Sequence, residues 1–175
     1  KQTGAQVMVM QEDAGVIQGA PPAWPGARVD RALRDHDTVE LGGTTLTAQL
    51  TPGHTEGTIS FTFQVRDRGR PVNVVYSGGT ALVYEYTLPE WGVNNMETYM
   101  ASQRHLAAKA RESGATVLLS NHSEFDEAWK KNRMLAGRGN GPHPYEIGAD
   151  WVQRYFTVTE NCALATQIKL KELAA

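Results

Sequence analysis

The chain has 175 residues, 17 Lys+Arg against 19 Asp+Glu, a formal net charge of −2 and 41% apolar residues, the size and composition of one globular domain able to bury a core. Near-zero charge excludes a chain-wide basic field for nucleic acid or an anionic membrane, and no run approaches the roughly 18 apolar residues of a membrane span. The single Cys162 excludes an intrachain disulfide framework and a cysteine-rich zinc site, which leaves histidine and carboxylate as candidate ligands.

The chain opens Lys1-Gln2-Thr3-Gly4, without Met and without the apolar core of a signal peptide, which reads as a processed or cut start. Val7 to Met10 is a short apolar run of strand type. From Gly15 to Gly26 the sequence is rich in glycine and proline (Pro21, Pro22, Pro25), and it reads as a loop. Thr38 to Leu41 and Thr44 to Leu50 flank Gly42-Gly43, the pattern of a β-hairpin with a two-residue turn. Thr58 to Val65 alternates strictly and sets Ile59, Phe61, Phe63 and Val65 on one face, so it predicts a half-buried strand. The polar turn Arg66 to Arg70 leads to a further strand, Val72 to Tyr76, which stops at Ser77-Gly78-Gly79, and the two strands are expected to pair as a second hairpin.

Helical spacing begins near Asn94, whose amide with Glu97 three residues on has the form of a capping pair, and ends at Gly114. Val117 to Leu119 predicts a short buried strand reaching Asn121-His122. Ser123 is then placed to cap one helix whose first turn is acidic (Glu124, Asp126, Glu127) and whose later turn is basic (Lys130, Lys131, Arg133), as the helix dipole favours. A Gly/Pro loop from Gly137 to Pro144 precedes a last helix. Its stripe of Ile147, Trp151, Tyr155, Val158, Cys162, Ala165 and Ile168 predicts docking on a sheet. The sequence shows no internal repeat and no low-complexity segment.

Two histidines stand at predicted strand ends. His54 lies in Thr51-Pro52-Gly53-His54-Thr55-Glu56-Gly57, flanked by glycines that let a ligand approach, and His122 directly precedes a helix, where capping is the alternative role. Neutral imidazole is the usual nitrogen ligand of zinc, so the pair invites a metal site, yet catalytic zinc takes three protein ligands and two do not complete a shell. Glu56, Glu124 and Asp126 are nearby carboxylates able to add to it. His36, in a polar turn, His105, in a helix, and His143, between prolines, read as structural or surface residues. Ser77-Gly78-Gly79-Thr80 lacks the spacing of a phosphate loop, and no Gly-x-Ser-x-Gly elbow presents Ser120 as a nucleophile. Cys162 sits on the apolar stripe of the last helix and reads as a buried small hydrophobe. Tyr84, Tyr86 and Trp91, after the Gly-Gly turn, are candidate rim or packing residues.

The run Asp37-Thr38-Val39-Glu40-Leu41-Gly42-Gly43-Thr44-Thr45-Leu46, followed by Thr51 to Gly57, then Val74 to Gly79 and Val117 to His122, resembles the metallo-β-lactamase superfamily in order and spacing. It is most similar to the C-terminal half of the third subclass of class B. The resemblance covers most of the chain and implies an α/β (α+β) fold, an αββα sandwich lacking its N-terminal portion, with residues 1–175 as one partial domain. It implies His54 on a first zinc ion and His122 on a second. The implied reaction is hydrolysis of a lactam, lactone or ester, in which a metal-bridging hydroxide attacks the carbonyl carbon and the metals stabilise the oxyanion. A periplasmic or secreted location is compatible with it.

The family's His-x-His-x-Asp-His motif, the source of four ligands, is absent. Asp35-His36 is an isolated pair, with Arg31 and Leu33 at the earlier positions, and Thr3 to Val9 is similar to the segment that follows the motif. Gly79 stands where glyoxalase-type relatives carry a bridging Asp, which points to the lactamase-like branch. Two functions follow as expectations. One is a zinc hydrolase acting on a small molecule, with this chain supplying part of the site and inactive alone. The other is a non-catalytic half-domain that associates with another chain or itself, its histidines vestigial. Neither involves nucleic acid or membrane.

Overall fold

The computed structural model describes residues 3–19, 26–80 and 89–174, the last with side chains from 95 to 173. Strand β1 (Met8–Met10) runs into helix α1 (Gln11–Gln18) and pairs in parallel with β2 (Arg31–Leu33). The main sheet has five strands in the order β3 (Thr38–Leu41), β4 (Thr44–Leu50), β5 (Ile59–Asp67), β6 (Arg70–Ser77), β7 (Val117–Ser120). Its pairs are antiparallel except the last, where the long helix α2 (Pro89–Glu112) makes the crossover that a parallel β6–β7 pair requires. Short helices α3 (Ser123–Asp126) and α4 (Ala128–Ala136) and the 26-residue α5 (Ala149–Ala174) complete the chain.

Both predicted hairpins form. Gly42 and Gly43, at φ +58 and +79, turn between Leu41 and its partner Thr44, and Arg68-Gly69, both at positive φ, do the same between Asp67 and Arg70. The register gives the sheet two unlike faces. Thr47, Thr62, Val75 and Leu118 align across the strands on one, and Leu46, Phe63, Val74 and Val117 on the other. Helices α2 and α5 cover the first face, where Val75 and Leu118 meet Leu106, Ala110, Val152 and Phe156. Each Val, Leu or Phe side chain so removed from water contributes about 1.5–3 kcal/mol. On the second face Met10 and Leu33 of the small sheet pack on Ala48, Leu50, Ile59 and Phe61, and Tyr145 leans on the far end. Phe63, Val65 and Leu119 remain only half-buried there, around a cavity of about 290 Å³.

Four local expectations are corrected. Residues 15–18, read as the start of a loop, instead complete α1, because acidic Glu12 and Asp13 in the first turn suit the helix dipole and Gly15 is tolerated on an exposed face. Helix α2 starts at Pro89, five residues before Asn94, so Asn94 and Trp91 lie within the helix; proline fits a first turn whose amides need no partner. Trp91's side chain, Tyr84, Tyr86, Pro21, Pro22 and Pro25 lie outside the described residues. The single helix expected after Ser123 is two, broken at Glu127 (φ +55), with His122 rather than Ser123 at the N-cap position. Finally, α5 docks through Val152, Phe156, Ala163 and Leu170, while Trp151, Val158 and Ile168 of the predicted stripe are exposed; Cys162 is exposed as well.

An ionic cluster secures the end of the sheet opposite the β4–β5 loop. Arg138 donates to both oxygens of Asp67 at 2.8 and 2.6 Å, and Arg70 pairs with Glu146 in the same two-pronged way. The Arg138 hydrogen bonds hold Asp67 below its ordinary pKa, and those of Arg70 do the same for Glu146. Depressed carboxylate values contribute stability above the unfolded pKa, about 4, and that contribution disappears as pH falls through the folded values. The gap in Tm between wild type and Arg138→Met is therefore expected to narrow from pH 5 to pH 2 in thermal melts; a constant gap would show that the pair carries no such linkage.

Candidate functional site

Three strand ends meet at one edge of the main sheet: the β4–β5 loop with His54, the end of β6 at Gly78-Gly79, and the end of β7 at Asn121-His122. The meeting depends on glycine. A Cβ at Gly78 would stand 1.9 Å from the Ile59 carbonyl oxygen, and one at Gly79 would stand 2.7 Å from His54 Cβ and 2.6 Å from Thr58 Cγ2. Gly79 is also at φ +62, a conformation that side chains with a Cβ disfavour. On its other side the loop rests on α2, where Gly53 lies against the Tyr99 backbone and Ser102 Oγ donates to the Pro52 carbonyl at 2.7 Å.

A buried hydroxyl layer supports these ends. Ser60 Oγ bonds Thr51 Oγ1 at 2.7 Å and accepts from the Gly78 amide at 3.0 Å. Thr80 joins β6 to β7: its amide and hydroxyl donate to Asn121 Oδ1 at 3.2 and 3.0 Å, and its Oγ1 lies 2.9 Å from Ser120 Oγ. Tyr155 of α5 reaches the same hydroxyl at 3.4 Å, and burial pushes its phenol pKa up, so it remains a neutral donor.

His54, Asn121, Asp13, Tyr76, Gly78 and Gly79 line a cleft of about 300 Å³. His54 is half-buried there. His122 stands one residue beyond the lining Asn121, exposed, with its ring edge-on to Phe125 at 6.0 Å. It occupies the N-cap position of α3 yet makes no side-chain capping bond, so the capping role considered for it is not the one its ring plays.

The carboxylates near the site are engaged elsewhere or exposed. Asp126 is buried, and its two oxygens accept from the Ser120 and Ala128 amides, which makes it a local support. Glu56 and Glu124 are exposed. Burial pushes the Tyr76 phenol pKa up, so it offers no anionic ligand. Among the described residues no three His, Cys, Asp or Glu side chains are placed to hold an ion together. The imidazoles at this edge fit zinc in kind and supply part of a shell in number. His36 is a turn residue at φ +68 beside Asp35, His143 Nδ1 accepts from the Tyr145 amide, and His105 lies within α2.

Comparison with known proteins places this architecture. No protein-family model matches the chain. Among solved structures it is similar to the subclass B3 metallo-β-lactamase BJP-1 of Bradyrhizobium japonicum, with a TM-score of 0.81 and 24% identity over 99% of this chain and 67% of that one. The metallo-β-lactamase FEZ-1 of Legionella gormanii matches with a TM-score of 0.69 and 28% identity, over 97% of this chain and 67% of that one. A hydroxyacylglutathione hydrolase of Hyphomonas neptunium is 40% identical over 86 residues, 49% of this chain. That match spans 30% of the curated relative's length. The chain thus carries the metallo-β-lactamase fold over about two thirds of the solved chains, and its resemblance to that superfamily, with class B3 enzymes among its structural neighbours, is borne out.

Alanine at position 79 is expected to push His54 aside and to lower stability by about 1–3 kcal/mol. NMR of Gly79→Ala should move the His54 and Thr58 signals and leave His143, at the opposite end of the sheet, in place. Wild-type urea stability with an unmoved His54 signal would show that the contact is loose.

Proposed function

We propose that residues 1–175 are the C-terminal part of one metallo-β-lactamase-type domain and that the parent protein is a zinc hydrolase of a lactam, lactone or ester. The observation that carries this reading is the glycine-permitted convergence of three strand ends on His54, in a chain whose fold matches class B3 enzymes over 99% of its own length. His54 and His122 would hold zinc through neutral imidazole nitrogens, two ions being expected in the complete parent. Zinc, when bound, supplies Lewis acidity and a nucleophile at neutral pH. This chain's own residues set the loop, bear part of the shell and form one wall of the cleft; the remaining ligands come from outside residues 1–175, and the chain by itself is inactive. A di-zinc class B3 enzyme, LRA-12 from an Alaskan soil metagenome, is among the similar structures, with a TM-score of 0.70 over 64% of its chain.

The half-buried second sheet face favours a cover from the same source or from another copy. The second reading, a non-catalytic module with vestigial histidines, draws on the absence of a three-ligand group among the described residues.

The chain alone is expected to bind Zn²⁺ weakly and to turn over no lactam, lactone or ester. Joined to a segment bearing His-x-His-x-Asp-His, it should bind zinc tightly and hydrolyse at least one of these classes, and His54→Ala or His122→Ala should abolish both properties. Tight stoichiometric zinc with turnover by the chain alone would overturn the partial-site reading. Unchanged activity in either variant would remove that ligand, and a joined protein without zinc affinity would leave the non-catalytic reading. Light scattering of the isolated chain should report dimers or larger species, and a monomer stable at low concentration counts against self-association.

A further inference from the structure

We infer that Asp13, on helix α1, is a positioning residue for His54, an inference that rests on the reading of His54 as a metal ligand. Its carboxylate reaches across 42 and 44 residues of sequence to the loop. Oδ2 accepts from the Thr55 hydroxyl at 2.6 Å and Oδ1 from the Gly57 amide at 2.8 Å. The two bonds thus hold the segment immediately after His54. Gly57 is the residue that admits the carboxylate: a Cβ there would stand 2.5 Å from Asp13 Cγ and 2.7 Å from its backbone nitrogen.

The clamp is no by-product of helix docking. Helix α1 buries no side chain, and Met10 at its N-cap position provides no side-chain bond. An eight-residue helix of this kind is marginal by itself and leans on its neighbours: Arg34 Nε donates to Gln11 Oε1 at 3.3 Å, the Ala27 amide to the Ile17 carbonyl at 3.2 Å, and Asp13 ties the helix to the loop. The rest of the loop's bonding is largely internal: the Gly53 amide donates to the Thr55 carbonyl at 3.0 Å and the Thr55 amide to Thr58 Oγ1 at 2.8 Å. Those bonds shape the turn. Asp13 fixes where the turn stands against the cleft that both residues line. Partners that orient a metal ligand typically carry about 10–100-fold in metal affinity.

The test uses the full chain with Zn²⁺ as the probe, followed through the imidazole NMR signals of His54 and His122, which read millimolar affinities. Asp13→Ala is expected to weaken zinc binding at His54 about 10-fold or more. In the metal-free protein it should also move the His54 signals and speed exchange of the Gly57 amide, with the His122 signals in place. Asp13→Asn keeps an acceptor for Gly57 and a group in reach of Thr55, and should restore the His54 signals and most of the affinity. Thr55→Val removes one leg from the loop side, keeps α1 intact, and should give a smaller loss in the same direction. Zinc affinity and His54 signals unchanged in Asp13→Ala, while His54→Ala loses zinc, would overturn the inference alone. Unchanged zinc binding in His54→Ala would overturn the ligand reading and the inference with it.

Discussion

The close approach of the β6 end to the β4–β5 loop is the constraint on which the candidate site depends. With no side chain at position 78 or 79, the strand end can lie against the Ile59 carbonyl and the base of His54, and a Cβ at Gly78 would lie within 2 Å of that oxygen. This contact sets the level at which His54 stands relative to Asn121, and Thr80, directly after the glycines, bonds Asn121 and so carries the same alignment to β7. The hydroxyls of Thr51, Ser60 and Thr80 satisfy the backbone and one another beneath the site, where an unpaired polar group would be costly.

The main sheet is unequal in its two faces, and this asymmetry governs how the chain can exist. Its helical face is closed by the core of Val75, Leu106, Leu118, Val152 and Phe156. The opposite face has the two-stranded β1–β2 unit over one part and leaves Phe63, Val65 and Leu119 half-buried over another. A sandwich of this kind buries both sheet faces, and among the described residues the half-buried patch lies toward the Asp67 and His143 end of the sheet, away from the end that carries His54.

Much of the sheet was legible in the sequence because its signals are local. Strict alternation over residues 58–65 marked a strand, and paired glycines at 42 and 43 marked a turn that needs positive φ at both positions. The strand and loop motifs at residues 37–57, 74–79 and 117–122 sufficed for the family resemblance. Helix boundaries were less legible. Helix α1 has no side-chain cap, and its partners lie far along the chain: Arg34 bonds Gln11, and Asp13 bonds a loop more than 40 residues away. On α5 the apolar residues Trp151, Val158 and Ile168 match helical spacing as well as Val152, Phe156 and Ala163 do, and spacing cannot tell which stripe meets a neighbour.

The sequence by itself determined the strand order of the hairpins, the glycine positions and the presence of imidazoles at two strand ends, because each rests on backbone chemistry within a few residues. Tertiary structure decided what those residues face. Asn121 rather than His122 lines the cleft with His54, Asp126 is committed to backbone amides, and Asp13 reaches the loop, because side-chain partners are set by the packing of segments distant along the chain.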